Sequence, residues 1–125
     1  MEKKRVMVVD DEEGFLAMLK LNLEQTGRYE VFTLSNAKDI VSQVNNFLPD
    51  VILLDLLMPE VGGIEACQML NEDKIGSRVP IIALSALDKD ADKLKAYKVG
   101  VVDYITKPAT TDTIIKTIEK ALKFK

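Results

Sequence analysis

The sequence contains no histidine and no tryptophan, and it has a single cysteine. The absence of histidine excludes a Ser-His-Asp triad, imidazole metal ligands and phosphohistidine chemistry on this chain. Cys67 lies near Met69 and Leu70 in a helical pattern, which is typical of a small buried side chain and not of a reactive thiol. Any chemistry must therefore come from carboxylates, hydroxyls and lysines.

Long apolar runs and blocks of like charge are also missing. No apolar run approaches the roughly 20 residues that span a bilayer, and the four apolar residues after the basic residues 3–5 are too few for a targeting segment. The 17 basic and 20 acidic side chains give a net charge of -3, and no cluster of them indicates nucleic-acid binding. We expect a soluble, cytoplasmic protein that contacts neither membrane nor nucleic acid directly.

Two apolar patterns alternate along the chain. Its 125 residues, 47% of them hydrophobic, suit one domain over residues 1–125. Short β-branched runs alternate with residues at helical spacing, and this predicts an α/β fold: a five-stranded parallel sheet with helices on both faces. The strand candidates are residues 6–9, 29–34, 51–54, 81–84 and 101–105, and the helical positions include Phe15, Leu19, Leu23, Ile40, Val44, Leu48, Ile114, Ile118 and Leu122.

The wholly apolar run 51–54 predicts a strand that is buried on both faces at the centre of the sheet. Other residues predict where the helices begin and end. Gly27 suits a helix end. Helix starts are predicted at Ser35 or Asn36, at Asp88, and at Thr110 or Thr111.

Polar residues follow the predicted strands at one end of the sheet. In a doubly wound sheet of order 2-1-3-4-5, ligands bind outside the carboxyl ends of the strands, where strands 1 and 3 diverge. Asp10 and Asp11 follow strand 1, Asp55 follows strand 3, Ser85 follows strand 4, and Lys107 follows strand 5. On this topology, the five side chains converge.

Asp10, Asp11 and Asp55 would repel one another unless a cation lies between them. With oxygen ligands and no histidine, a hard ion such as Mg²⁺ is favoured over zinc or copper. Taken alone, the acidic pair is equally well explained by a helix N-cap, and Asp55 by the turn that Pro59 and the following glycines predict. Their convergence favours a metal site.

Asp55 can also act as a nucleophile on phosphorus, provided that a metal ion neutralises the developing charge. Ser85 and Lys107 then offer a hydroxyl and a cation to the remaining phosphoryl oxygens. Individually, Ser85 is more simply a helix-entry residue and Lys107 a solvated surface lysine. Together, these residues predict a site at which Asp55 accepts a phosphoryl group.

Four segments, distributed along the whole chain, resemble the signature of bacterial response regulator receiver domains. They are the Asp10-Asp11 pair, residues 55–59 (Asp-Leu-Leu-Met-Pro) with Gly-Gly at 62–63, residues 80–86, and residues 103–108. The resemblance implies a flavodoxin-like (βα)5 fold with Asp55 as the phosphoacceptor. It further implies that Mg²⁺ is bound by Asp10, Asp11, Asp55 and the backbone carbonyl of Leu57.

The resemblance also implies roles for the remaining residues and for partners. Ser85 is similar to the switch hydroxyl, Tyr104 to the aromatic switch residue, and Lys107 to the phosphate-contacting lysine, whose bond to Pro108 is commonly cis in this family. The phosphoryl donor would be a sensor histidine kinase, a phosphotransfer protein or a small acyl phosphate, and the signal would pass to an effector protein or domain. The chain would catalyse only its own phosphorylation and dephosphorylation, and a homodimer is expected as one form of the phosphorylated protein.

Two positions depart from the family pattern, which often has alanine at 101 and an aromatic residue at 109. Val101 and Ala109 do not touch the chemistry, but they leave the output subfamily open. Because no effector domain follows, we expect a receiver that is excised from or terminal in a longer protein, with a stand-alone regulator as the alternative.

The expected switch involves the fourth helix. Residues 88–98 predict weak anchoring, since their main apolar positions are only Ala91, Leu94 and Tyr97. We expect that phosphate on Asp55 draws Ser85 inward, that the Tyr104 ring follows, and that helix 4, strand 5 and helix 5 repack. The alternative for Tyr104 is an ordinary core aromatic.

Leu57 and Leu87 flank the predicted phosphate and offer no polar group to an attacking water, which predicts a long-lived phosphorylated form.

Three other functions are weighed against the receiver. An aspartyl phosphatase would have a second aspartate two residues after the first, and Leu57 occupies that place. A nucleotide- or flavin-binding protein would have a glycine-rich loop after strand 1, where this chain has acids. A degenerate receiver that only binds partners is the main alternative, although all five site residues are present.

Overall fold

Strands and helices alternate along the chain, as the sequence predicts. The computed structural model describes residues 2–123, so both ends of the predicted domain over residues 1–125 lie outside the described residues. The strands are β1 (Lys4–Val9), β2 (Tyr29–Leu34), β3 (Val51–Leu54), β4 (Ile81–Ser85) and β5 (Asp103–Thr106). The α-helices are α1 (Glu13–Gln25), α2 (Ile40–Phe47), α3 (Gly63–Asn71), α4 (Asp90–Lys98) and α5 (Thr111–Lys123), and a 3₁₀ turn, Gly76–Arg78, precedes β4.

The strands form one parallel sheet in the order β2-β1-β3-β4-β5. This confirms the predicted doubly wound α/β fold. β3 lies in the middle of the sheet, and all of its residues are fully buried. The strand order reverses between β1 and β3, which opens a crevice at the carboxyl edge of the sheet.

Successive residues of each strand point to opposite faces, so the sheet supplies two hydrophobic cores. One core lies against α1 and α5, and the other lies mainly against α2 and α3. Burial of each large aliphatic side chain contributes about 1.5–3 kcal/mol. The large, fully buried side chains are Leu19, Leu23, Leu53, Ile82, Leu84, Ile114 and Ile118 in the first core and Met7, Ile40, Ile52, Leu54 and Leu70 in the second.

Two predicted helix boundaries are confirmed. Gly27 follows α1 with a φ of 77°, a conformation that glycine adopts without strain. Thr110 precedes α5, and its Oγ1 accepts a hydrogen bond from the Thr113 amide at 3.1 Å, which is N-cap geometry.

The predicted start of α2 is wrong by several residues, and that of α4 is wrong by one residue. Asn36 Oδ1 accepts a hydrogen bond from the Lys38 amide at 3.1 Å, so this side chain forms a turn and α2 begins only at Ile40. The predicted start at Ser35 or Asn36 therefore belongs to the preceding loop. In α4, Lys89 and not Asp88 is the N-cap residue.

Helix α4 is weakly anchored, but through a different residue than predicted. Ala91, Leu94 and Tyr97 are all exposed, and Ala96 is the one buried side chain of the helix. The spacing of the few apolar residues in α4 therefore identified the exposed face of this helix as its buried face. Leu48, predicted at a buried helical position, also proves exposed, because it ends α2 in the left-handed conformation with a φ of 55°.

The predictions about the single cysteine and about membrane-spanning segments can be compared with the structure. Cys67 is fully buried, and burial raises the pKa of its thiol to about 12, which makes it unreactive. Over residues 2–123, no helix combines the length and apolarity needed to cross a membrane.

Gly63, the first residue of α3, lies against the backbone that follows β3. A Cβ atom at this position would be 2.6 Å from the carbonyl oxygen of Asp55 and 2.6 Å from the Cα of Leu56. Neither atom can move without shifting the end of β3. At the neighbouring Gly62, a Cβ would meet only the Leu56 carbonyl oxygen, at 3.8 Å.

We therefore predict that Gly63→Ala lowers the free energy of unfolding by about 1–3 kcal/mol, since the added methyl group overpacks against backbone. Gly62→Ala is the matched control and should cost less than about 1 kcal/mol, the usual price of an N-cap change. Urea denaturation of both variants measures the difference. Equal stabilities for the two variants would show that the backbone accommodates the methyl group.

Candidate functional site

The carboxyl edge of the sheet brings the predicted site residues together. Asp10 directly follows β1, Asp55 directly follows β3, and Lys107 directly follows β5. Backbone hydrogen bonds continue past the strand ends, from the Asp55 amide to Val9 O at 2.9 Å and from the Lys107 amide to Ser85 O at 2.8 Å. The sheet itself therefore sets the positions of these side chains. The Lys107–Pro108 bond is cis, as the resemblance implies.

Three carboxylates form a cluster at this edge. One oxygen each of Asp10, Asp11 and Asp55 lies within 4.8 Å of the others. Asp10 is fully buried, Asp55 is 5% exposed, and Asp11 is exposed on the outer side. An all-oxygen donor set of this charge fits a hard divalent ion such as Mg²⁺.

Asp10 does not cap α1, because the N-cap residue of that helix is Glu12, whose side chain makes no capping hydrogen bond. Instead, Asp10 Oδ1 accepts a hydrogen bond from the Glu12 amide at 2.9 Å. Asp10 Oδ2 accepts a hydrogen bond from Lys107 Nζ. The simple N-cap explanation of the acidic pair is therefore wrong.

Lys107 is not a solvated surface lysine, since its side chain is only 15% exposed. Besides its bond to Asp10, its Nζ lies 3.7 Å from Asp55 Oδ2 and 3.5 Å from Glu12 Oε1. The ammonium group also lies 4.6 Å from the centroid of the Phe15 ring, within cation–π range. Burial by itself would lower the pKa of Lys107, but the bond to Asp10 and the surrounding negative charges raise it.

Asp55 is held by two contacts of different character. Its Oδ1 accepts a hydrogen bond from the Leu57 amide at 3.0 Å, while its Oδ2 faces Lys107. Burial is the largest influence on this carboxylate and raises its pKa, and the charges of Asp10 and Asp11 act in the same direction. The Leu57 amide and Lys107 oppose that rise.

Ser85 is fully buried at the end of β4, and its Oγ accepts a hydrogen bond from the Leu87 amide at 3.2 Å. Among residues 2–123, no hydrogen bond joins Ser85 to Asp55. Tyr104 is partly buried, and its hydroxyl donates to the Leu87 carbonyl oxygen at 2.6 Å. Both side chains thus bind the same backbone unit, at Leu87, in the loop between β4 and α4.

Burial raises the pKa of the Tyr104 hydroxyl. Lys93 of α4 lies 5.9 Å from the centroid of the Tyr104 ring. Tyr104 packs against the second core and also joins β5 to the loop after β4 and to α4, so both interpretations of this residue remain compatible with its contacts.

Glu12 and Phe15 are parts of the site that the sequence argument missed. The sequence pattern marks Phe15 only as a helical position of α1, and it assigns no role to Glu12. The available signal was position, since both residues lie at or near the start of α1, directly after the acidic pair. Their contacts with Lys107 depend on how α1 and β5 are packed, and spacing along the chain does not specify that packing.

The comparisons with known proteins agree with this geometry. The family model for the response regulator receiver domain matches residues 6–119. The chain is 35% identical over 120 residues to the alkaline phosphatase synthesis transcriptional regulatory protein PhoP of Bacillus subtilis, covering 96% of this chain and 49% of that protein. It is 34% identical over 118 residues to protein PilH of Pseudomonas aeruginosa, covering 94% of this chain and 97% of PilH.

Solved structures show the same architecture. The chemotaxis protein CheY4 of Vibrio cholerae superposes with a TM-score of 0.90 at 25% identity, covering 96% of this chain and 99% of that one. The chain thus spans about half the length of PhoP and nearly all of PilH and CheY4. On the family match, the relatives and the shared fold, this chain belongs to the response regulator receiver domains of two-component signalling.

Proposed function

We propose that this receiver domain is an active phosphoryl-accepting switch in which Asp55 is phosphorylated with the help of Mg²⁺. The observation that carries the proposal is the buried group of Asp10, Asp55 and Lys107, with Asp11 at its outer side. Receiver domains of two-component systems interact with histidine kinases and effector domains. For this chain, the donor is a sensor histidine kinase, a phosphotransfer protein or an acyl phosphate, and the signal passes to an effector in the cytoplasm.

In the proposed reaction, Asp55 Oδ2 attacks phosphorus, because Oδ1 is already engaged by the Leu57 amide. The bond from phosphorus to the donor nitrogen or oxygen breaks, and its electron pair leaves with the donor. Lys107 Nζ, 3.7 Å from Asp55 Oδ2, is near enough to contact a phosphoryl oxygen after a small shift. Ser85 offers a hydroxyl to another of these oxygens.

Asp10, Asp11, Asp55 and the Leu57 carbonyl would hold Mg²⁺, which neutralises charge on the phosphoryl oxygens when it is bound. The fit rests on the three-carboxylate cluster. On this proposal, the chain catalyses only its own phosphorylation and dephosphorylation and turns over no other phosphate ester.

The proposal is tested by incubating the protein with acetyl phosphate and recording intact masses. We expect one phosphoryl adduct on the wild type in the presence of Mg²⁺, and none after chelation with EDTA. Asp55→Asn, which keeps the size of the side chain but removes the nucleophile, should give no adduct under any condition. A folded wild type that stays unmodified would favour a degenerate receiver that only binds partners.

The switch proposal rests on the Leu87 backbone, which links Ser85 and Tyr104. If Ser85 turns towards a phosphoryl group on Asp55, it gives up the Leu87 amide, and the loop that holds the Tyr104 hydroxyl is free to shift. Tyr104 then moves further inward. Lys93, above the Tyr104 ring, would transmit the shift to α4, which is anchored by few buried side chains and is therefore easily displaced. A partner, or a second phosphorylated copy, would read the altered surface of α4, β5 and α5.

We predict that phosphorylation shifts backbone amide resonances in the loop at Leu87 and throughout α4, measured by ¹H–¹⁵N NMR. Tyr104→Phe removes the bond to the Leu87 carbonyl while keeping the ring, so it should reduce the α4 shifts and leave those around Asp55 unchanged. Shifts in the wild type that remain confined to the neighbourhood of Asp55 would contradict the switch.

The lifetime of the phosphorylated form depends on the residues around the phosphoryl group. Leu57 is 52% exposed beside Asp55 and carries no group to orient a water molecule. We predict that Leu57→Asn shortens the phosphoryl half-life by about tenfold, less than the roughly 10²–10⁴-fold effect of a general base, because an amide can orient a water molecule but cannot take its proton. Loss of the adduct over time, followed by mass, measures the half-life, and Leu57→Met is the apolar control. An unchanged half-life in Leu57→Asn would contradict the role assigned to this side chain.

A further inference from the structure

Strand β2 forms one edge of the sheet, so one side of its backbone has no neighbouring strand. The Lys4 amide donates to Arg28 O and the Asp10 amide donates to Leu34 O, both at 3.0 Å. The backbone amide and carbonyl groups of the even-numbered residues from 28 to 34 therefore face β1. By alternation, the amide and carbonyl groups of Tyr29, Val31 and Thr33 point outward. Such an edge is a template for pairing with another strand.

The outward groups at Val31 are occupied by two side chains of α1. Lys20 Nζ donates to the Val31 carbonyl oxygen at 2.7 Å, and Glu24 Oε2 accepts a hydrogen bond from the Val31 amide at 3.1 Å. Lys20 Nζ also donates to Glu24 Oε2 at 3.0 Å, which closes the ring of contacts. The Val31 amide is the largest influence that lowers the pKa of Glu24, and Lys20 acts in the same direction. Glu24 therefore stays ionised and able to accept both bonds.

The sequence order of the pair makes it a weak support for α1. Pairs on a helix surface stabilise the helix more when glutamate precedes lysine, because each charge then complements the helix dipole. Here Lys20 precedes Glu24 by four residues, which is the less favourable order. The contacts with Val31 give the pair a different role.

We infer that Lys20 and Glu24 form an edge clamp that keeps β2 from pairing with the β2 strand of a second copy of this chain. Two antiparallel β2 strands centred on Val31 would exchange the Val31 amide and carbonyl groups that the clamp occupies. In the same register, Tyr29 pairs with Thr33 on either side. The strand Tyr-Glu-Val-Phe-Thr-Leu has one charge among β-branched and aromatic residues, and such a sequence favours pairing.

The clamp is tested with the double variant Lys20→Ala/Glu24→Ala, studied by sedimentation velocity over a range of concentrations. We expect it to self-associate about tenfold more tightly than the wild type, because two backbone hydrogen bonds become available across the interface. The control Asp112→Ala/Lys116→Ala removes one charge of each sign from exposed positions of α5 and should behave as the wild type does. Lys20→Arg/Glu24→Gln keeps the donor and acceptor groups and should remain as the wild type.

A third change distinguishes edge pairing from other association. Thr33→Pro removes an outward amide that the sheet of this chain does not use, so adding it to the double variant should restore the wild-type behaviour. A double variant that is folded and associates no more than the wild type overturns the proposal. Association that survives Thr33→Pro overturns it as well, because the contact then lies elsewhere.

Hydrogen exchange of the wild type gives an independent test, should the double variant fail to fold. The Val31 amide should exchange at least about tenfold more slowly than the outward amide of the more exposed Thr33, because only Val31 is bonded to Glu24. Equal exchange rates at Val31 and Thr33 would mean that the clamp does not form.

Discussion

The contact of Lys107 with Asp10 and Asp55 is the interaction on which the rest of the site depends. Both carboxylates are buried, and removing an ion from water costs on the order of several kcal/mol unless an opposite charge repays it. Lys107 supplies that charge from the far side of the crevice and is itself held by Glu12 and Phe15. One positive charge against three carboxylates leaves an excess of negative charge, and this excess is what suits the site to a divalent cation and to phosphoryl chemistry.

The sheet fixes one half of this site, and a loop completes the other half. Asp10 follows β1 and Asp55 follows the central β3, and the amide of each is bonded to the backbone of the neighbouring strand, so they have little freedom to move. Ser85 and Tyr104 instead meet at the Leu87 backbone, in a loop that leads to the weakly anchored α4. A rigid carboxylate beside an easily displaced loop and helix is the arrangement that the proposed switch requires, because a local change of charge can then alter a distant surface.

The sequence predicts those features that depend on strand order and on the residue that ends each strand. The apolar run of β3 predicts a central strand, and the parallel order then brings Asp10, Asp55 and Lys107 to one edge. Features that depend on packing between elements were missed. Phe15 beneath Lys107 and the Lys20–Glu24 contact with Val31 both join residues whose relation appears only after the helices dock. The start of α2 was misplaced for a local reason, since the Asn36 side chain forms a turn instead of capping the helix.

The central claim, that the acidic cluster and Lys107 together form a phosphoryl site on Asp55, is tested most directly by a crystal structure grown with Mg²⁺ and beryllofluoride, a phosphoryl mimic. The account predicts BeF₃ bonded to Asp55 Oδ2, with Mg²⁺ on Asp10, Asp11, Asp55 and the Leu57 carbonyl. Lys107 Nζ and Ser85 Oγ should each contact a fluorine atom. A structure in which Mg²⁺ lies elsewhere, or in which Asp55 remains unmodified with Lys107 still on Asp10, would contradict the account.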